Sequence, residues 1–217
     1  MQLVVATRSI HKMKEIRRIL ADIQDLELLS LDDVDVEYSP EEEELEPYET
    51  FEENASSKAN YFRRASGLPT VADDSGLEVD ALAGAPGVRT KRFAPGEDLD
   101  GEERDLANNA HLLDRLAGVP PEQRGARYVC VAALAWDADR IEVFRGEAPG
   151  RVLEEGRGGR GFGYDPIILD EGSGRSFAEL TPEEKNARSH RGRAFRAMGK
   201  ALEQLCRDEE SGEGSSK

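Results

Sequence analysis

Asp73 and Asp74 stand side by side in "VADDSGLEVDALAGAPGVRTKRFA", residues 71–94, directly after a short apolar run. Successive side chains of an extended segment point to opposite faces, so the two carboxylates are expected to divide, one working at a site while its neighbour supports it. Carboxylates at strand ends in α/β folds line ligand crevices, and Ser75 with Gly76 suits a tight turn there. The same quartet also suits an Asx turn in which Asp74 caps backbone amides, and the residues alone leave both readings open. Lysines accompany these acids. Lys12 falls in "TRSIHK", where a strand runs into a helix and backbone N–H groups favour an anion, and Lys58 falls on a later helix. Carboxylates beside lysines suggest a metal-bridged polyphosphate, because Mg²⁺ takes one or two carboxylates and draws its other oxygens from phosphates and water. The glycine-rich run "GRGGRGFGYDP" places Phe162, Tyr164 and Asp165 on a loop that can approach a ligand closely, and an aromatic there can stack on a base. Lys185, His190 and Arg191 in "EEKNARSHRGRA" add donors for a base edge or a phosphate.

The elements that must position these groups follow from periodicity and punctuation. "QLVVA" reads as a first strand, and Met13, Ile16, Ile19 and Leu20 follow at helical spacing. "LELLSL" is a second strand, and the acidic "SPEEEELEPYE" is a loop. Thr50 and Glu53 have capping-box spacing, which predicts a helix from there to about Ser66; on it Asn54 has no packing reason for its place. A short buried strand is expected in "LPTVA", ending at the aspartates, and a helix over 102–117 before the stop at Gly118 and Pro120. "ARYVCVAALAWD" reads as a long buried strand, and "RIEVFRGEAPGRVLEE" as one or two more with a turn near Pro149 and Gly150. Thr181 caps a last helix expected to run from Pro182 to Leu205. No internal repeat or boundary divides residues 1–206, which are expected to form one domain, with 207–217 a disordered tail.

Bulk properties narrow the chemistry. The chain has 217 residues, ample for a large core, with 38% hydrophobic and 34% charged residues and a formal charge of −16. That charge argues against a nucleic-acid binder working through a broad basic surface, so any phosphate site must be a local basic pocket or recruit a metal. No stretch approaches a membrane span and no basic segment precedes the first apolar run, so no membrane partner and a cytoplasmic location are expected. Cys130 and Cys206 read as two thiols without a disulfide framework. Zinc-ligand spacing and a nucleophile–base pair are both missing.

Taken together, "ATRSIHKMKEI", "TFEENASSKA", the Asp73–Asp74 segment, "GFGYDPI" and "FAELTPEEKNARSHRGRA" resemble the inosine/xanthosine triphosphate pyrophosphatase family, in the same order and over nearly the whole chain. The resemblance implies an elongated α/β fold of two lobes about a long mixed sheet, with the nucleotide in the cleft between them, and a homodimer. It implies Mg²⁺-dependent hydrolysis of ITP, dITP or XTP to the monophosphate and pyrophosphate. Asp74 would be the catalytic carboxylate and a metal ligand, and Ser75 would touch substrate. Thr7, Arg8, Ser9, Ile10, His11 and Lys12 would hold triphosphate, together with Lys58. Phe162, Gly163, Tyr164 and Asp165 would stack on and orient the base, and Lys185, His190 and Arg191 would select a 6-keto purine. A second metal-binding carboxylate is implied in the acidic loop, either Glu46 or Glu44. One departure stands out: the family's first turn is typically Thr-Gly-Asn-x-x-Lys, and here Arg8 and Ser9 replace Gly-Asn. Arg8 would be strained if a positive φ were required, or would add a cation to the phosphate site. That departure sustains an alternative reading, a nucleotide-binding sensor with weakened catalysis.

Overall fold

The computed structural model describes residues 1–96 and 99–213, with side chains through 204. Among them eight strands form one mixed sheet, flanked by five helices. Strands β1 (Gln2–Val5), β2 (Glu27–Leu29) and β3 (Thr70–Val79) pair in parallel, with β1 between the other two. Strands β5 (Gly125–Ala135), β6 (Ile141–Val152), β7 (Ile168–Asp170) and β8 (Arg175–Ser176) continue antiparallel from β3, and the two-residue β4 (Pro86–Gly87) pairs with the far end of β3.

The sheet is buried on both faces at one end, which is why its strands read as unbroken apolar runs. Alternate residues divide cleanly. Val4, Ala72, Val129, Val131 and Ala133 pack against helix α2 (Phe51–Ser66), while Leu3, Val5, Val71, Cys130 and Ala132 pack against α1 (Ile10–Ile19) and α5 (His190–Glu213). A third cluster covers the opposite ends of the long strands, where Leu77, Val79, Tyr128, Ala148 and Val152 meet Leu112 of α3 (Gly101–Arg115) and Leu116, which caps it. Two lobes therefore share β3, β5 and β6, as expected, and residues 73–76 lie between their cores.

Local signals explain several boundaries. Ser9 and Thr50 cap α1 and α2 through side-chain acceptance from Lys12 N and Glu53 N, and Gly67, with φ of 72°, closes α2. Three expectations need correction. The strand at the aspartates does not end there: β3 continues to Val79, every residue paired with β5 from Thr70↔Ala135 to Val79↔Ala126. Gly76 consequently serves no turn; a Cβ there would strike the Gly87 carbonyl and lie 2.8 Å from the Phe51 ring, so the glycine lets β4 and α2 approach the strand. Strand β6 likewise runs through Pro149 and Gly150 without a turn, because β7 pairs with it only from Arg151 and leaves Pro149 on an edge. The last helix is broken at Ser189, whose extended backbone (φ −67°, ψ 156°) separates α4 (Pro182–Arg188) from α5 and whose hydroxyl accepts from Gly192 N at 3.0 Å. Helix α5 then continues to Glu213 rather than stopping near Leu205. Residues 214–217 of the expected tail lie outside the described residues, as does the side chain of Cys206.

Replacing Gly76 with Ala should destabilise the protein by about 2 kcal/mol through overpacking, read as a lowered urea midpoint at unchanged m-value.

Candidate active site

β3 is paired with β5 along its whole length, but its other flank is open in the middle. β1 pairs as far as Val71, and β4 begins only at Leu77. Asp73, Asp74 and Ser75 occupy this interval. The alternation expected of them holds, and the open flank lets cations from both sides of the sheet reach them.

Asp73 faces α1 and α5. Its Oδ2 lies 3.1 Å from Lys12 Nζ and accepts from Ser75 Oγ at 2.7 Å and Arg191 Nη2 at 3.2 Å. Burial alone would raise its pKa, but the charges of Lys12, Arg191 and Lys58 outweigh burial and hold the carboxyl well below the usual range. Arg191 is itself buried, and its Nη1 donates to Glu15 at 2.6 Å. Glu15 also lies 2.8 Å from Lys185 Nζ. This glutamate was not singled out from sequence; the available signal was an acidic residue adjoining Ile16 on the inward face of α1.

Asp74 faces α2. Its Oδ2 accepts from Asn54 Nδ2 at 3.0 Å, and its Oδ1 from Ser75 N at 2.9 Å. Asn54 also binds both backbone groups of Tyr48, which gives a reason for its place on the helix and ties the acidic segment to β3. Burial, and then the charge of Glu46, push Asp74 up to about 6 against the opposing pull of Lys58 and Lys12. Glu46 is paired with Lys58 and sits with its carboxylate beside the cluster, whereas Glu44, at the end of the 3₁₀ turn Pro40–Glu44, is no partner of Asp74, Lys58 or Lys12 among the described residues. Asp74 and Glu46 fit Mg²⁺: they are hard oxygen donors whose mutual repulsion a divalent cation would relieve, and a third protein ligand is unnecessary when phosphate supplies the rest.

The other end of the cleft is aromatic and cationic. Phe162 stacks on His11, with centroids 5.3 Å apart, and carries Lys185 Nζ over its ring at 4.6 Å. A cavity of about 180 Å³ lies here, lined by His11, Glu15, Phe162, Phe177 and Lys185 among others. A larger hollow of about 440 Å³ lies between the start of α2 and residues 83–89; neither cavity is lined by Asp73, Asp74, Lys12 or Lys58, but the smaller one has Phe162, His11 and Lys185. Asp165 holds the glycine loop closed: it accepts from Phe162 N at 2.9 Å, Lys185 Nζ at 2.7 Å and the Tyr128 hydroxyl at 3.3 Å. Its carboxylate fills the space where a Cβ on Gly161 would stand, and Gly161 has φ of 81°. Tyr164 packs in the second lobe's core with its hydroxyl on the Thr90 carbonyl, so it anchors the loop rather than facing the cleft. Gly163 is gripped from α3: its N–H donates to Asp105 at 2.7 Å and its carbonyl accepts from Asn109 at 3.0 Å. No local pattern announces Asp105 and Asn109, whose partners are more than fifty residues away along the chain.

His190 stacks on Tyr128 at 4.7 Å. Burial and the charges of Arg191 and Lys185 hold its pKa well below the usual range, so the imidazole is neutral, and its Nδ1 is buried without a partner among the described residues. In the first turn, Thr7 Oγ1 accepts from Ser9 N, Ser9 caps α1, Ile10 is exposed, and His11 belongs to the base end of the cleft. Arg8 has no left-handed backbone conformation, which removes the strain expected of a non-glycine residue there.

The two aspartates should respond oppositely to neutralisation. Asp73→Asn leaves Arg191 with an uncompensated share of buried charge and should cost about 3 kcal/mol or more at pH 7. Asp74 has a folded pKa above its unfolded one, so its stabilising contribution is present below pH 4 and is lost as pH rises through about 6. Asp74→Asn should therefore stabilise the metal-free protein at pH 8 by about 1–2 kcal/mol, below the full ionisation cost of about 3 kcal/mol because an amide keeps one acceptor. The gain should vanish by pH 4. Urea unfolding in EDTA reads both variants, and equal signs at pH 8 would contradict the assignment.

Comparison with known proteins agrees with this arrangement. The Ham1 family matches residues 3–201. A protein of Frankia alni named dITP/XTP pyrophosphatase is 48% identical over 206 residues, covering 94% of this chain and 98% of its own. One of the same name from Mycolicibacterium paratuberculosis is 49% identical over 208 residues, covering 94% and 97%. The solved structure of a HAM1 protein from Coxiella burnetii superimposes with a TM-score of 0.81 at 33% identity, covering 94% of this chain and 99% of its own. With an α/β fold, a cleft between its lobes and sequence likeness along most of its length, this chain belongs to the Ham1 family.

Proposed function

We propose that the protein hydrolyses non-standard purine nucleoside triphosphates, ITP, dITP and XTP, to the monophosphate and pyrophosphate with Mg²⁺, clearing them from the nucleotide pool. The observation that carries this reading is the division of the aspartate pair across the strand: Asp73 lies against Lys12 and Arg191, whereas Asp74 points to Asn54, where burial and the charge of Glu46 raise its pKa. The names of the Frankia and Mycolicibacterium relatives support the same substrates.

Asp74 takes a proton from the attacking water, a transfer favoured by the burial and the neighbouring Glu46 charge that raise its proton affinity. Asp74 and Glu46 would hold the Mg²⁺, which when bound would supply charge neutralisation and orientation for the phosphate oxygens. Lys12 and Lys58 stabilise charge on the departing pyrophosphate and hold the triphosphate against a chain of net charge −16. The N-terminus of α1, behind Thr7 and Ser9, adds backbone donors. At the other end Phe162 stacks on the base beside His11, and Lys185 with neutral His190 reads the 6-position. A donor set built for a keto oxygen loses matched hydrogen bonds to a 6-amino group, which disfavours ATP. Assembly as a homodimer and a cytoplasmic location belong to the same proposal; no helix among the described residues is long and apolar enough to cross a membrane. The sensor reading rests on Arg8 in place of glycine; the backbone at Arg8 is not left-handed, so strain gives it no support.

Pyrophosphate release from ITP, XTP and dITP should be fast with Mg²⁺, absent in EDTA, and slow with ATP. Asp74→Asn should lower kcat about 10²–10⁴-fold while leaving nucleotide binding largely intact. With saturating Mg²⁺, kcat/KM should fall in acid as Asp74 is protonated, with a midpoint below about 6 because a bound cation favours the carboxylate. Equal turnover of ITP and ATP, or normal turnover by Asp74→Asn, would overturn the proposal.

A further inference from the structure

Arg8 is a cation in the first turn that the chemistry above leaves unused. Its bonded donors all point to the segment between β2 and α2. Nε donates to Glu42 Oε2 at 3.1 Å, and Nη2 donates to Glu42 Oε1 at 2.8 Å and to the Val36 carbonyl at 3.0 Å; Nη1 lies 3.7 Å from Asp32. Glu42 receives this fork while also accepting from Ser39 N at 3.2 Å, which closes the capping box of the turn Pro40–Glu44. Its side chain is 9% exposed and that of Arg8 34%, so the two-pronged pair is partly sheltered from solvent.

Glu46 lies four residues further on. Leu45, buried in the core, holds the chain just before it, and the Asn54 side chain holds Tyr48 just after it while donating to Asp74. Arg8 grips the upstream end of the same segment from across the cleft. A glycine at this position, as the family resemblance leads one to expect, has no such reach.

We propose that Arg8 is a positioning residue: through Glu42 it straps the acidic segment to the first turn, so that Glu46 is presented to Lys58 and Asp74. It acts neither as a ligand of the triphosphate nor as a defect of the turn. The inference rests on the proposed metal-dependent hydrolysis for its purpose, but the strap itself exists in the empty protein and can be tested there.

The test compares Arg8→Gly, Glu42→Gln and the double variant with the full-length parent, by amide hydrogen exchange of residues 36–46 without metal or nucleotide, by calorimetric binding of ITP in EDTA, and by Mg²⁺ titration of ITP turnover. Each single variant should speed exchange in that segment about tenfold with the β3 and β5 amides unchanged, and raise the Mg²⁺ concentration for half-maximal turnover about three- to tenfold. The double variant should be no worse than either single one, because both remove the same contact. Binding of ITP in EDTA should shift less than twofold. Unchanged exchange in the singles, additive losses, or an ITP affinity weakened tenfold by Arg8→Gly and not by Glu42→Gln would overturn the strap, the last in favour of a phosphate contact. A parent without Mg²⁺-dependent ITP turnover would overturn the functional reading instead, and the exchange data would still decide the strap.

Discussion

The buried pair between Asp73 and Arg191 organises the rest of the site. Asp73 comes from the central strand, Arg191 from the start of α5, and the guanidinium reaches onward to Glu15 of α1, which meets Lys185 of α4. Four elements, drawn from the start, middle and end of the chain, are thus joined through alternating charges with almost no solvent access. Such a chain of buried ions is costly to form and more costly to interrupt, because each charge left alone would keep its desolvation penalty. It ties the end of the cleft at Lys12 and Asp73 to the aromatic end at Lys185 and Phe162.

Strand geometry turns that network into chemistry. Asp74 must point away from the face where the cations neutralise Asp73, so it is left with Asn54, Glu46 and a more distant pull from the lysines. Two chemically identical neighbours therefore acquire different proton affinities, and the pleat alone decides which is which. The division requires an open flank beside the pair, provided by the interval between the end of β1 and the start of β4. A strand paired on both sides there would have closed the cleft.

Features that depend on neighbours in sequence were legible from it. The Thr50 cap, the extent of α2, the opposite orientation of the two aspartates and the long buried β5 all rest on local periodicity or capping chemistry. Where a partner distant in sequence decided the outcome, reading failed. β3 continues through its aspartates because β5 pairs with every residue of it. Helical spacing persists across Ser189, so only the packing of α4 and α5 reveals the break. Arg8 finds Glu42 thirty-four residues away, and Glu15 finds Arg191 across almost the whole chain, contacts that no local pattern encodes. Tyr164 shows the converse: its place in a glycine-rich loop suggested a role against the base, and the fold uses its ring as core.

The central claim is that the structure holds Asp74 near neutrality while its neighbour stays ionised. Site-resolved carboxyl ¹³C titration of the two aspartates, in metal-free protein and again with saturating Mg²⁺, addresses it most directly. The account predicts that Asp74 titrates near pH 6 without metal and moves to lower pH with it, while Asp73 remains ionised to the acid limit of the folded state. An Asp74 that titrates with an ordinary carboxylate pKa in the metal-free protein, or an Asp73 that titrates above it, would contradict the account.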